Sequence, residues 1–208
     1  LTFPMQAWEL TVGKFLAALT FYALTLIATF TVPLMLFSLG NPDTGVVVSG
    51  YFGTLLLGAT FLALGILFSG FFKDQIVAFV VTLLACFLFF LLGTDFIASY
   101  IDSRISGLGS MLADLFGIFT HYQPLVRGVI DLSDVLFFLT WTVIFLTLNI
   151  LFIDGRNRPR ARTMFGMITA VCLIIGMLFN YLMAGSSIKR FDMTEDKIYT
   201  ISPSSKAI

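Results

Sequence analysis

Five stretches of this chain contain no aspartate, glutamate, lysine or arginine: 15–37, 46–72, 76–94, 135–153 and 164–184. An α-helix rises about 1.5 Å per residue, so roughly 20 residues cross a hydrocarbon core of about 30 Å. All five are long enough, the third and fourth only just. They predict an all-α integral membrane protein, a helical bundle with five transmembrane helices. Between the third and fourth stretches the pattern changes. Ile97, Ile101, Ile105, Leu108, Leu112, Leu115 and Phe119 recur at spacings of four and three, while Ser99, Asp102, Ser103, Ser106, Ser110 and Asp114 fill other positions. That is one apolar stripe of a helix too polar to cross. It predicts an outer re-entrant amphipathic pair over 96–119, at the interface or dipping partway in, broken by Gly107 and Gly109. Ahead of the first span, Leu1, Met5, Trp8 and Val12 share a helical face, with Gln6 and Glu9 elsewhere. Pro4 suits a first turn, and Gly13 with Lys14 marks a junction, which predicts a short amphipathic helix over 1–13.

The turns agree with these boundaries. Asn41-Pro42-Asp43, between Gly40 and Gly45, is tight-turn chemistry joining two antiparallel helices. Pro33 falls inside the first span and predicts a kink. In the second span Gly50, Thr54 and Gly58 repeat every four residues, spacing that lets helix backbones approach closely in lipid. Two readings fit that stripe: a dimer or bundle seam, and ordinary packing within the chain. Asn149 and Asn180, the most polar residues within spans, read as interhelical hydrogen-bonding groups.

Flanking lysines and arginines set an orientation. With Lys14 cytoplasmic, Lys73, Arg156, Arg158, Arg160 and Arg162 also fall inside, whereas the two outer connections carry only Arg104 and Arg127. Residues 1–14 are then cytoplasmic and residues 186–208 extracytoplasmic.

Composition narrows the function classes. Hydrophobic residues make up 58% of the chain and charged residues 12%, about half the charge of a soluble domain. The mean hydropathy is +0.99. Net charge is zero, which gives no reason to expect a nucleic-acid partner. Cys86 and Cys172 lie within apolar runs and read as small buried hydrophobes. There is no GxxxxGK[ST] phosphate loop and no HExxH, so no catalytic or metal residues and no cofactor are expected in this chain. No span carries a titratable acid or base, which argues against an ion-coupled carrier, a proton pump or a channel. The opening "LTFPMQAWEL" has no basic n-region or cleavage site and does not read as a signal peptide. Both ends are expected to continue into a longer polypeptide.

The segment "HYQPLVRGVID" (121–131) holds the chain's one histidine. Here the chain returns from the outer interface into the fourth span, near Ser133. Asp131 or Ser133 is placed to cap that helix, and Asp134 adds negative charge to its first turn. Pro124 is expected to stop the preceding helix and Gly128 to allow a sharp turn. Arg127 is a partner for Asp131 at i, i+4 or for an anionic headgroup, and His121 reads as a hydrogen-bonded anchor.

Three motifs carry a family resemblance. The proline, helical turn and "GKFLA" of residues 4–17 resemble the coupling helix of ABC-2 type transporter permeases. "RGVIDLSDVLFF" (127–138) resembles the gliding-motility (Gld-type) branch of that family. "KRFDMTEDKIYTISPSSKAI" (189–208) is similar to the start of the extracytoplasmic domain of the Gld-type auxiliary protein, with Met193 where that motif has leucine. The resemblance covers essentially the whole chain. It implies a fusion: a partial permease domain over 1–153 containing spans three to six of six, a basic cytoplasmic linker at 154–163, a further transmembrane helix at 164–184, and the beginning of an extracytoplasmic domain at 185–208. It further implies a multi-pass protein of the bacterial inner membrane, surrounded by membrane lipid. Its partners would be a dimeric cytoplasmic ABC ATPase carrying ATP and magnesium, and a second permease copy. Pro4, Met5, Trp8, Glu9 and Lys14 would form the ATPase-docking surface, with the turn at Lys73–Gln75 a second contact.

Two other classes remain compatible with the residues. One is a non-transporting scaffold that transmits ATPase-driven force to the extracytoplasmic domain. The other, less favoured, is an ion-coupled carrier or channel.

Overall fold

The computed structural model describes residues 6–155, 161–184, 190–195, 197 and 199. In chain order they form α1 (Ala7–Ala28), α2 (Thr31–Leu39), α3 (Thr44–Phe71), α4 (Gln75–Leu92), α5 (Asp95–Asp102), α6 (Leu108–Phe116), α7 (Ile118–Val126), β1 (Val129–Asp131), α8 (Leu132–Gly155), α9 (Ala161–Ala184) and β2 (Arg190–Asp192). Five segments are long and apolar enough to cross a membrane: Ala7–Leu39, Thr44–Phe71, Gln75–Leu92, Leu132–Gly155 and Phe165–Met183. The protein is a multi-pass, all-helical membrane protein in its architecture.

Helices α3 and α8 form the centre. Along α3 the buried positions are Gly45, Ser49, Gly53, Leu56, Thr60, Ala63, Leu64 and Leu67, spaced by four and three apart from Leu64. The facing side of α8 buries Phe137, Phe138, Trp141, Ile144, Phe145 and Leu148. Leu56, Ala63, Leu64 and Leu67 of α3 share one core cluster with Phe137, Phe138, Trp141 and Phe145 of α8. Polar side chains fasten the same seam, with Thr60 Oγ1 3.1 Å from Thr142 Oγ1 near its middle. Helices α1, α4 and α9 surround this pair and turn much of their surface outward, where Phe21, Ile76 and Ile174 are exposed. Outward apolar faces on a multi-pass bundle are the surfaces that meet lipid.

Several expected boundaries shift. The separate amphipathic helix over 1–13 does not appear among the described residues, because α1 runs unbroken from Ala7 through Gly13 and Lys14. A glycine interrupts a helix at a cost of only about 1 kcal/mol, and apolar surroundings offer no water for freed carbonyls. Pro33 does break the first span, but four residues upstream, at Thr29–Phe30. That is where its missing N–H and its ring act, on the carbonyl of residue 29.

Within 96–119 the outer amphipathic segment forms a pair of short helices, α5 and α6, and a third, α7, follows from Ile118. The first break falls at 103–107, where Gly107 takes a left-handed φ of 81°. Gly109 lies inside α6, and the second break is at Gly117. Pro124 lies within α7, which continues to Val126, because proline removes only one hydrogen bond from a helix about to end. These helices dip inward. Phe116 packs on Trp141 at 5.4 Å between ring centroids, about 14 Å along α8 from its start.

The packing separates two neighbouring glycine positions. A Cβ on Gly53 would lie 2.8 Å from Leu125 Cβ, whereas one on Gly50 meets nothing within 4 Å. Gly53→Val is expected to destabilise the protein by about 1–3 kcal/mol. Gly50→Ala is expected to be neutral or slightly stabilising. Thermal unfolding of both variants in detergent measures the difference.

Candidate functional site

Chain direction sorts the connections to two ends of the bundle. One end gathers the turn at 40–43, the short helices α5–α7, the β1 strand and β2. The other holds the start of α1, the α3–α4 turn and the junction of α8 with α9. Acidic residues crowd the first, while Lys14 and Lys73 mark the second.

At the acidic end, the segment 121–134 is built around one interaction. His121 Nδ1 lies 2.8 Å from Asp134 Oδ1, and both side chains are largely buried. Its Nε2 lies 2.9 Å from the Asp114 carbonyl. Both ring nitrogens thus face oxygen atoms. The ring stacks on Phe137 at 3.9 Å and 23°. One imidazole thereby ties α6, α7 and the first turns of α8 together. Asp134 therefore binds a side chain as well as occupying a helix N-terminus. Asp131 caps α8, its Oδ1 accepting from Ser133 N at 3.1 Å and from Ser133 Oγ at 2.9 Å. Arg127 and Asp131 do not pair. The helix ends at Val126 and a strand follows, so the i, i+4 neighbourhood does not exist there, and Arg127 is exposed.

Gly128 makes the turn between them. Its φ of 88° lies in the left-handed region, and a Cβ there would sit 2.9 Å from Thr194 Cγ2. The close neighbour is unexpected from the sequence. β1 pairs antiparallel with β2, placing Val129 opposite Asp192, Ile130 opposite Phe191 and Asp131 opposite Arg190. The Met193 amide donates to Gly128 O at 2.9 Å. Asp43 completes the clasp: Oδ1 caps α3 by accepting from Gly45 N at 2.8 Å, and Oδ2 accepts from Glu195 N at 3.1 Å. The segment after the last span is therefore bonded to the return turn and to the α1/α2–α3 hairpin.

At the lysine end, Pro4 and Met5 of the expected docking surface lie outside the described residues. Trp8 is 51% exposed, its Nε1 donating to Gln6 Oε1 at 2.6 Å. Glu9 accepts from the Gln6 amide at 3.0 Å and caps α1. Lys14 is exposed on the same helix. The side chain that α1 turns inward here is Thr11, fully buried, its hydroxyl 3.0 Å from Asn149 Oδ1. Asn149 Nδ2 donates to Ile66 O at 2.9 Å, so three helices meet at one amide. Asn180, by contrast, bonds within its own helix, to Gly176 O at 2.9 Å. In the α3–α4 turn Lys73 is exposed, and Asp74 caps α4 by accepting from Ile76 N at 2.8 Å.

The stripe Gly50, Thr54, Gly58 is met from within the chain at two of its three positions. Tyr22 of α1 lies over Gly58 and donates to Thr54 O at 2.9 Å, and Tyr122 of α7 reaches Thr54 Oγ1 at 3.0 Å. The buried seam toward α7 lies one residue earlier, at Ser49 and Gly53, where Ser49 Oγ donates to Leu125 O at 2.6 Å, and Gly45 faces the Met193 backbone. Four-residue spacing of small residues was a signal for both stripes. Thr11 and the β1–β2 pairing had no such signal, since each depends on a partner more than 50 residues away. Among the described residues no three metal-ligating side chains converge.

Asp134→Ala removes the acceptor at His121 Nδ1 and is expected to cost about 1–3 kcal/mol. Asp134→Asn, which keeps an acceptor, is expected to cost less, and denaturation of the two variants in detergent checks the order. No family model, no curated protein and no solved structure matches the chain.

Proposed function

We propose that the chain is the membrane-spanning part of an ABC-2 type transporter permease of the Gld-type branch, working as an exporter with a separate ATPase subunit. The observation that carries the reading is the order of elements: two long spans joined by a tight turn, a third span, three short helices held at one end, then a fourth span. That order is the one the motifs at 4–17, 127–138 and 189–208 imply for this family. ATP and magnesium would reside on the dimeric cytoplasmic ATPase, and a second permease copy would complete the pathway in the bacterial inner membrane.

The continuous α1 suggests how ATPase closure reaches the bundle. A push at Trp8 and Glu9 travels along one rod that touches α8 through Thr11–Asn149 and α3 through Tyr22–Thr54. The two central helices would therefore respond together, rocking between inward- and outward-facing states. The tested outcome is association. Trp8→Ala combined with Glu9→Lys should abolish co-purification of a vanadate-sensitive ATPase from native membranes in mild detergent. Undiminished recovery of the ATPase would sink this reading.

A second reading, force transmission without transport, is favoured by the β1–β2 clasp. Main-chain bonds between the return turn and residues 190–195 would pass bundle motion directly to whatever domain follows. Paired antiparallel residues stand close enough for a disulfide. With Cys86 and Cys172 replaced, cysteines at Ile130 and Phe191 should cross-link under mild oxidation. If locking this pair leaves ATPase turnover intact but halts the downstream activity in cells, transmission is favoured over export.

A further inference from the structure

A groove runs along α3 between α1 and α4. Its lysine-end section encloses about 370 Å³ and is lined by Thr11, Lys14, Gly65, Ser69 and Asn149 among others. Phe61, Leu62 and Thr82 also line the next section, of about 380 Å³, which continues past Gly58 and Leu83. From Ser69 to Gly58 the groove follows α3 for about 16 Å, half of a hydrocarbon core.

Its chemistry is graded along that length. Donors collect at one end. Among the described residues Lys14 makes no ion pair, and the Ser69 hydroxyl makes no hydrogen bond. Asn149 is 2% exposed and held rigidly by Thr11 and Ile66. One Nδ2 hydrogen goes to Ile66 O, and the other has no acceptor among the described residues. A cation, an amide hydrogen and a hydroxyl without acidic competition suit an anion. The remainder of the groove is walled by aromatic and aliphatic side chains, and its outer side faces the lipid-exposed surfaces of α1 and α4. A small inorganic anion would leave that long apolar section unfilled.

We propose that this groove binds one anionic amphiphile, with its phosphate at Lys14, Ser69 and the Asn149 amide and its acyl chain lying along α3. The assignment does not depend on whether the chain couples to an ATPase. Mostly apolar pockets between bundle helices, with a few converging polar groups, are the usual form of such sites.

The test uses the full chain in nonionic detergent, with bound lipid counted by native mass spectrometry. The probes are dioleoyl phosphatidylglycerol, dioleoyl phosphatidylcholine and inorganic phosphate. One phosphatidylglycerol should be retained per chain, in preference to phosphatidylcholine. Lys14→Gln should weaken retention about fivefold, the effect of one lysine near an anionic headgroup, and Lys14→Arg should restore it. Gly65→Leu should abolish retention by filling the groove beside Ser69 and Asn149. A Cβ there meets nothing closer than Thr82 Cγ2 at 3.6 Å, so an unchanged melting temperature separates blockage from misfolding. Equal retention by Lys14→Gln, by a folded Gly65→Leu, or of phosphatidylcholine would overturn the proposal. Displacement by millimolar inorganic phosphate would assign the site to a free anion instead.

Discussion

Apolar side chains do not drive membrane helices together, because lipid is as good a solvent for leucine as another helix is. The bundle must therefore be held by close packing and by hydrogen bonds that have no competitor in hydrocarbon. Both converge on α3. Its apolar positions share one core cluster with the aromatics of α8, and its polar positions are engaged along its length. Ser49 reaches α7, Thr60 meets Thr142, and Ile66 O receives Asn149. α1 is fixed to it through Tyr22 and α7 through Leu125 and Tyr122, while α9 packs on α8.

The same constraint explains the acidic end. Three short helices and a reversing turn leave main-chain groups that a bilayer will not tolerate unpaired. Packing α6 and α7 against α3, α4 and α8 buries Leu115, Ile118 and Leu125, while Ile105 and Leu108 stay exposed. The charges carried inward are then matched locally, His121 with Asp134 and the Asp114 carbonyl. Ionisable groups buried in a membrane bundle need such partners. Here they are present, and the cluster is a brace. The lysine end differs, since Lys14 and the second Asn149 hydrogen are left over after the internal bonds are made.

The number of spans and their approximate limits could be read from charge-free runs, because length and hydropathy alone decide whether a helix can cross. The cap at Asp131 and the turn at Gly128 could also be read, since both are local chemistry. The Pro33 break could be read as well, and it falls at Thr29–Phe30 because proline acts on the carbonyl four residues back. The stripe Gly50–Thr54–Gly58 left two readings open, since Gly45–Ser49–Gly53 shows the same spacing and periodicity cannot say which face meets which neighbour. The resemblance at 127–138 and 189–208 drew attention to the two segments that pair as β1 and β2, yet nothing in either motif indicates that they touch.

Local composition, then, was enough for class, span count, caps and turns, since each follows from energies within about one helical turn or one membrane thickness. Contacts between distant segments were decided only in three dimensions: Thr11 with Asn149, His121 with Asp134, the strand pair, and the groove beside Lys14. A hydrogen bond across a bundle depends on helix rotation and depth. Those are set jointly by side chains on several helices, and no single stretch of the chain contains that information.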